Sequence, residues 1–306
     1  MEYMTTKEAV KKWNISERRI RQLLNESRIE GAIKIGNSWN IPIDADKPID
    51  KRSTSIGNIK FGINDDYFER VEKLLIEYRT KMNESSNSVK SLQNAINLEW
   101  TYNSNGIEGN TLTLRETQVV LEGITIGGKT LKEHLEVINH DKAILLLEDI
   151  VKDKEPISEW NIKCIHGLIL REIDDKNAGK YREENVIIKG AKHIPPNHFI
   201  VHELMEKLII NYGSWKKYHP IIRASLLHGE LVKIHPFIDG NGRVSRLVMN
   251  LSLMNSGYLP VIIKKDKRLE YYNVLDKAHT TGDYTEFIKL INDLEIEMLS
   301  KYLELL

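Results

Sequence analysis

The run His235-Pro236-Phe237-Ile238-Asp239-Gly240-Asn241-Gly242-Arg243-Val244-Ser245-Arg246 constrains the fold more than any other part of this 306-residue chain. Upstream, Leu226, Leu227 and Leu231 recur at helical spacing, and downstream so do Val244, Leu247, Val248, Leu251 and Leu253. The run is therefore a corner between two helices. It places a glycine loop at a helix N-terminus, where unpaired backbone N–H groups and the helix dipole favour an anion. His235 has the only type of side chain whose unperturbed pKa lies near neutrality, which suits it to accept a proton. Asp239 is a hard oxygen ligand of the kind Mg²⁺ prefers. Gly240 and Gly242 lack Cβ atoms and let backbone N–H groups approach phosphate oxygens. Arg243 and Arg246, three apart, share roughly one helix face. A His-Pro or Gly-Asn-Gly standing alone is ordinary turn chemistry. The ordered whole points to work on a nucleotide.

At every fixed position this run resembles the signature of the Fic family, His-x-Phe-x-Asp/Glu-Gly-Asn-Gly-Arg-x-x-Arg. The resemblance implies a protein adenylyltransferase that moves AMP from ATP to a Ser, Thr or Tyr hydroxyl of a target protein or of itself, releasing pyrophosphate. By position it makes His235 the base and Asp239 the holder of Mg²⁺. Gly240, Asn241, Gly242 and Arg243 become the phosphate cradle, and Arg246 the partner of the γ-phosphate. Fic relatives that phosphorylate an elongation factor carry Lys at the place of Gly242, so this glycine favours nucleotidyl over phosphate transfer.

Far upstream, Ser104-Asn105-Gly106-Ile107-Glu108-Gly109-Asn110 reads on its own as a helix end with a solvated Glu, because Gly106 and Gly109 interrupt the apolar pattern of Leu92, Ala95, Ile96 and Leu98 to Trp100. It also resembles the family's inhibitory motif, Ser/Thr-x-x-x-Glu-Gly/Asn, filled by Ser104, Glu108 and Gly109. The likeness implies an inhibitory helix around residues 88–110 that precedes the core, with Glu108 paired to Arg246. Such a pair would deny the γ-phosphate its guanidinium.

Between the motifs, Val186-Ile187-Ile188 and the segment after Lys189-Gly190-Ala191-Lys192 read as two short strands about a glycine turn, closed by Pro195-Pro196. The family carries a flap hairpin here, which implies that Val186, Ile187, Ile188, Lys189 and Gly190 register a target segment by edge pairing. Tyr271 and Tyr272 resemble a tyrosine pair that holds the nucleoside; simple aromatic packing explains them equally well. His279 stands where the family often has Asn.

The first 43 residues read separately. A short helix begins at Met4 to Val10, Ser16 is a candidate N-cap, Glu17 to Asn25 forms a second helix, and two strand-like pieces flank Gly36-Asn37. This outline resembles the winged helix-turn-helix of excisionase and MerR-type modules, which implies contact with double-stranded DNA. Residues 1–43 carry eight Lys or Arg against five Asp or Glu, and Arg18, Arg19 and Arg21 crowd the second helix. Those arginines suit a DNA groove, a solvated face or a protein partner.

The expected fold is mainly α: a Fic-type helical core with a β-hairpin flap over residues 66–306, preceded by a winged helix-turn-helix (1–43) and a linker (44–65). Lys plus Arg balance Asp plus Glu at 44 each, so net charge selects no partner. The single cysteine, Cys164, excludes an internal disulfide framework. No leader pattern or membrane span is legible, and a cytoplasmic location is expected. Fic proteins often self-associate, so a homodimer fits the family. Alternatives to AMP transfer are a de-AMPylating Fic enzyme, one using another nucleotide, or a transcriptional regulator that senses nucleotide without turnover.

Overall fold

The computed structural model describes residues 3–13, 17–25, 29–36, 38–45, 59–84 and 88–305. The chain divides into two compact units, Met1–Thr54 and Ser55–Leu306.

In the first unit, β1 (Tyr3–Met4) leads into α1 (Thr6–Trp13), α2 (Glu17–Asn25), β2 (Ile33–Ile35) and β3 (Ser38–Pro42). Thr5 and Glu8 start α1 by exchanging side-chain to backbone hydrogen bonds, a capping box. β3 is the central strand, antiparallel to β1 and β2, with Met4 opposite Ile41 and Lys34 opposite Trp39. Ala9 and Trp13 on α1 meet Ile20, Leu23 and Leu24 on α2, and Ile29 and Ile41 complete a separate small core. The i, i+3, i+4 spacing on α2 buries one face and leaves the basic face outside. Ser16 and the Arg19 side chain lie outside the described residues.

The second unit is helical: α3 (Glu69–Glu84), α4 (Ser88–Ile107), α5 (Leu114–Leu121), α6 (Leu131–Lys152), α7 (Glu159–Ile169), α8 (Val201–Ser214), α9 (Pro220–Ile234), α10 (Asn241–Met254), α11 (Arg268–Thr281) and α12 (Thr285–Leu305). Local sequence starts several of them. Thr113 with Glu116 and Thr130 with Glu133 form capping boxes, Ser158 with Asn161 does the same, and Pro220 opens α9 behind His219. α9 and α10 make the central hairpin. α10 is buried on every side, its polar residues included, with α6, α7, α9 and α4 against it. A helix buried all round has no solvated face on which to spend an arginine, so Arg243 and Arg246 must be held by partners.

Most of the expected linker, residues 46–58, lies outside the described residues. Its last part is packed: Ile59, Phe61 and Ile63 lie on the large core, and Lys60 bridges to Asp283. The expected flap hairpin is a correction. Residues 185–196 contain no strand, only extended chain about a turn closed by the Ala191 N–H to the Ile188 carbonyl. Pro195 and Pro196 have no N–H to donate. The returning limb is held instead by the Asp276 carboxylate, which accepts from the N–H groups of Lys192 and His193.

Candidate active site

α9 ends when the His235 N–H bonds to the Leu231 carbonyl and His235 itself turns left-handed, at φ 51°. That conformation is uncommon for a residue with a side chain and persists only when its surroundings impose it. Here Arg182 imposes it, with Nε donating to the His235 carbonyl at 2.8 Å and its backbone N–H to the Pro236 carbonyl at 2.9 Å. Phe237 is buried and stacks on His166, 3.7 Å between ring centroids. The Asn241 side chain closes the loop, accepting from Phe237 N–H and donating to the Phe237 carbonyl, each at 2.9 Å. Its role is thus to shape the cradle, and only its backbone N–H is left for an anion.

Gly240 caps α10 with φ 76° and no side chain to offer. The first helical bond runs from Val244 N–H to the Gly240 carbonyl at 3.0 Å. The amides of Asn241, Gly242 and Arg243 therefore precede the ladder and are free to meet phosphate oxygens.

Nδ1 of His235 lies 3.2 Å from the Val232 carbonyl. A carbonyl only accepts, so Nδ1 carries the hydrogen and Nε2 keeps its lone pair. Burial is the main cause that pushes the His235 pKa down to about 4, against the bond to Val232. The ring is neutral at pH 7 and ready to take a proton.

Asp239 accepts from the Gly240 N–H at 2.6 Å through Oδ1, which lies 3.7 Å from Arg243, while Oδ2 stands 4.0 Å from Lys132. Its side chain is 52% exposed, so one oxygen is open to the cleft. No cluster of three His, Cys, Asp or Glu able to hold a metal occurs among the described residues. A lone carboxylate beside a phosphate cradle nevertheless fits Mg²⁺, which takes one or two protein carboxylates and completes its shell with phosphate and water.

Both arginines are almost wholly buried. Arg243 Nη1 lies 3.2 Å from Glu136 Oε1 of α6, and its Nε has no hydrogen-bond partner among the described residues. Arg246 Nη1 also lacks one. Buried donors left unpaired are costly, and donors beside an anion site are the expected exceptions.

The remaining Arg246 donors go to the end of α4. Nε meets Ser104 Oγ at 3.1 Å, and Nη2 meets the Ser104 carbonyl at 2.8 Å and Glu108 Oε1 at 2.7 Å. The helix end is a Schellman turn: Gly109 N–H bonds to the Gly106 carbonyl and Asn110 N–H to the Asn105 carbonyl. Gly109 takes φ 101°, which a side chain would resist. The turn places Glu108 directly after the helix and aims it at Arg246. A Cβ at Gly242 would stand 2.3 Å from Glu108 Oε1, so the close approach of this carboxylate needs glycine there.

The tyrosine pair separates. Tyr271 is 2% exposed, with its hydroxyl 2.8 Å from His228 Nε2 and its ring near Phe287, a core position. Tyr272 is 37% exposed under Arg268, and Glu108 and Arg246 act on the hydroxyls of both tyrosines. His279 is buried with Nε2 on the Gly229 carbonyl. On the first unit, Arg18 is exposed and Arg21 pairs with Glu17 at 2.8 Å.

Three residues to which the sequence assigned no role shape the site. Arg182 fixes His235. His166 accepts from Gly179 N–H through Nδ1 and so presents Nε2–H to the Asp239 carbonyl at 3.1 Å. Glu136 holds Arg243 and accepts from Asn110 at 3.0 Å. Two of them act on main-chain carbonyls, which every residue type possesses.

A model of the Fic/DOC family matches residues 156–253. Curated relatives named protein adenylyltransferase Fic, from Drosophila melanogaster and Drosophila mojavensis, are 36% identical over 225 residues, 72% of this chain. The chain spans 45% and 44% of those proteins, less than half their length. Among solved structures, a Fic domain containing signaling protein from Bacteroides thetaiotaomicron aligns with TM-score 0.71 and 27% identity, over 78% of this chain and 96% of that one. Fic-1 from C. elegans aligns with TM-score 0.67 and 31% identity, over 78% of this chain and 71% of the solved one.

Proposed function

The chain belongs to the Fic/DOC family, and on that premise we propose that it is a protein adenylyltransferase held idle by Glu108. His235 Nε2 accepts the proton of a Ser, Thr or Tyr hydroxyl on a target protein, or on this chain. The hydroxyl oxygen bonds to the α-phosphorus of ATP, the bond from that phosphorus to the bridging oxygen breaks, and pyrophosphate leaves. Arg243 and the amides of Asn241, Gly242 and Arg243 hold the phosphates, in keeping with a transfer governed by positioning and charge neutralisation. Asp239 would hold Mg²⁺, which when bound neutralises phosphate charge. Tyr272, the more exposed of its pair, is the better candidate for the nucleoside, and Val186 to Gly190 for the target backbone.

The observation that carries the reading is the 2.7 Å contact between Glu108 and Arg246, one turn along α10 from the phosphate cradle. While it lasts, the γ-phosphate meets a carboxylate in place of a guanidinium. A released population of about one in a hundred corresponds to a bias of about 2.7 kcal/mol and an activity lowered about a hundredfold. Intact-mass measurement with ATP and Mg²⁺, using self-modification as readout, tests this. Glu108→Gly should gain AMP adducts and Glu108→Gly with His235→Ala should not. Equal labelling of Glu108→Gly and parent at saturating ATP would sink the inhibitory role.

For the first unit, the helix pair with a β2–β3 hairpin supports a winged helix-turn-helix whose α2 lies in the DNA major groove, with Arg18, Arg19 and Arg21 as contacts. Titration of duplex DNA at two salt concentrations tests it, and an affinity indifferent to salt would favour a protein-docking module.

A further inference from the structure

We infer that Arg182 is a positioning residue that ties the base-bearing loop and both ends of the target-docking segment into one unit. The inference rests on the AMP-transfer reading above. Arg182 is 3% exposed. Its Nε donates to the His235 carbonyl at 2.8 Å, Nη1 to the Glu184 carbonyl at 2.9 Å and Nη2 to the Pro196 carbonyl. Its own N–H reaches the Pro236 carbonyl at 2.9 Å.

These acceptors come from two places. His235 and Pro236 belong to the loop that presents Nε2, whereas Glu184 and Pro196 bracket residues 185–195, the segment proposed to hold the target. That segment has no ladder of its own; Asp276 holds Lys192 and His193, His193 Nε2 reaches the Lys233 carbonyl, Asn185 accepts from His198 N–H, and the carbonyls at its two ends rest on this one guanidinium. Its hydrogen bonds are all to main-chain carbonyls, with no carboxylate among them. Burying a charge against carbonyl dipoles alone is expensive unless several are satisfied together, and only a planar fork with three separated donors reaches them all.

The geometric consequence concerns two atoms that must meet. The hydroxyl is placed by the 185–195 segment, and the nitrogen that takes its proton is placed by the 235–236 peptide. Arg182 holds both supports at once, beside a second link from His193 to the Lys233 carbonyl, and their separation depends on it. A misplacement of about 1 Å at this step costs on the order of a hundredfold in rate. The phosphates are held from α10 and do not depend on it.

The test compares Arg182→Lys and Arg182→Ala with their parent, all in the Glu108→Gly background. AMP transfer should fall on the order of a hundredfold, while the ATP dissociation constant from calorimetry stays within about twofold. Methylguanidinium should restore part of the rate to Arg182→Ala, saturably, and none to Glu108→Gly with His235→Ala. Hydrogen exchange should quicken together in peptides spanning 183–198 and 232–240 and stay unchanged in α10.

A transfer rate within about threefold of the parent overturns the inference, as does loss of ATP binding in step with the rate. Quickened exchange in one segment alone does so as well. If both variants fail to fold, Arg182 is a structural residue and the positioning role is refuted. Absence of AMP adducts on the Glu108→Gly parent would count against the transferase reading, and the exchange measurement would then still decide the coupling.

Discussion

Arg243 and Arg246 stand three residues apart on α10, yet the carboxylates that meet them belong to unlike regions. Glu108 directly follows α4, 30% exposed, beside a helix end whose dipole disfavours a negative charge. Glu136 lies inside α6, 10% exposed, tied to Asn110 and near Lys132. Freeing Arg246 needs only the last turn of α4 to yield. Freeing Arg243 would require α6 to move. The difference teaches that a buried ion pair in a phosphate site can be a removable block or a fixed brace, depending on the element that carries the carboxylate.

The strongest way to break this comparison is to delete each carboxylate in turn. Glu108→Gly should raise AMP transfer about a hundredfold. Glu136→Gln should lower it about tenfold in the same background, because a buried guanidinium loses its counter-charge and its orientation. The thermal midpoint of Glu136→Gln should also fall by several degrees, on the order of 2 kcal/mol. A rise in transfer with Glu136→Gln would make Glu136 a second block. A smaller effect sharpens the contrast at the helix end. Gly242→Ala places a Cβ 2.3 Å from the mobile end of Glu108 and 3.1 Å from Arg246 Nη1. The pair should loosen by about 1 kcal/mol, giving a roughly fivefold rise in initial rate. No change in labelling rate would mean that the carboxylate sits elsewhere in solution.

A further effect belongs to the brace side and is spread through the core. Burial pushes His166 and His235 down to about 4, and His228 and His279 down to about 3. Each is neutral in the fold and gains a proton on unfolding once the pH is below 6.5. The stability linked to them is therefore complete above pH 6.5 and declines as pH falls towards 4. The slope is at most about 1.4 kcal/mol per pH unit for each histidine. Thermal midpoints at pH 7.5, 6 and 5 should descend in that order, and a midpoint that is flat to pH 5 would contradict the burial of these rings.

Much of the site was legible because its parts are local. The order of residues 235–246 implies a helix corner with a glycine-lined anion site, and the structure has α9, a left-handed turn and α10 there. The run Asn105 to Asn110 implies a helix end, and a Schellman turn stands in that place. The flap was misread because β-branched residues about a glycine turn promise a hairpin. A hairpin also needs facing donors, and the two prolines have none. The Asn241 side chain closes the loop, a contact the local pattern does not announce.

The sequence by itself determined the helix corner, the glycine positions, the helix caps and, through its likeness to a family, the pairing of Glu108 with Arg246. These depend on backbone preference and on side-chain identity at short spacing. Tertiary structure alone decided that Arg182 would hold three carbonyls, that Glu136 would brace Arg243, and that Tyr271 would enter the core while Tyr272 stayed partly exposed. The physical reason is that carbonyl acceptors are the same at every residue, and that neighbouring positions on a helix acquire different surroundings only when the other helices pack around them.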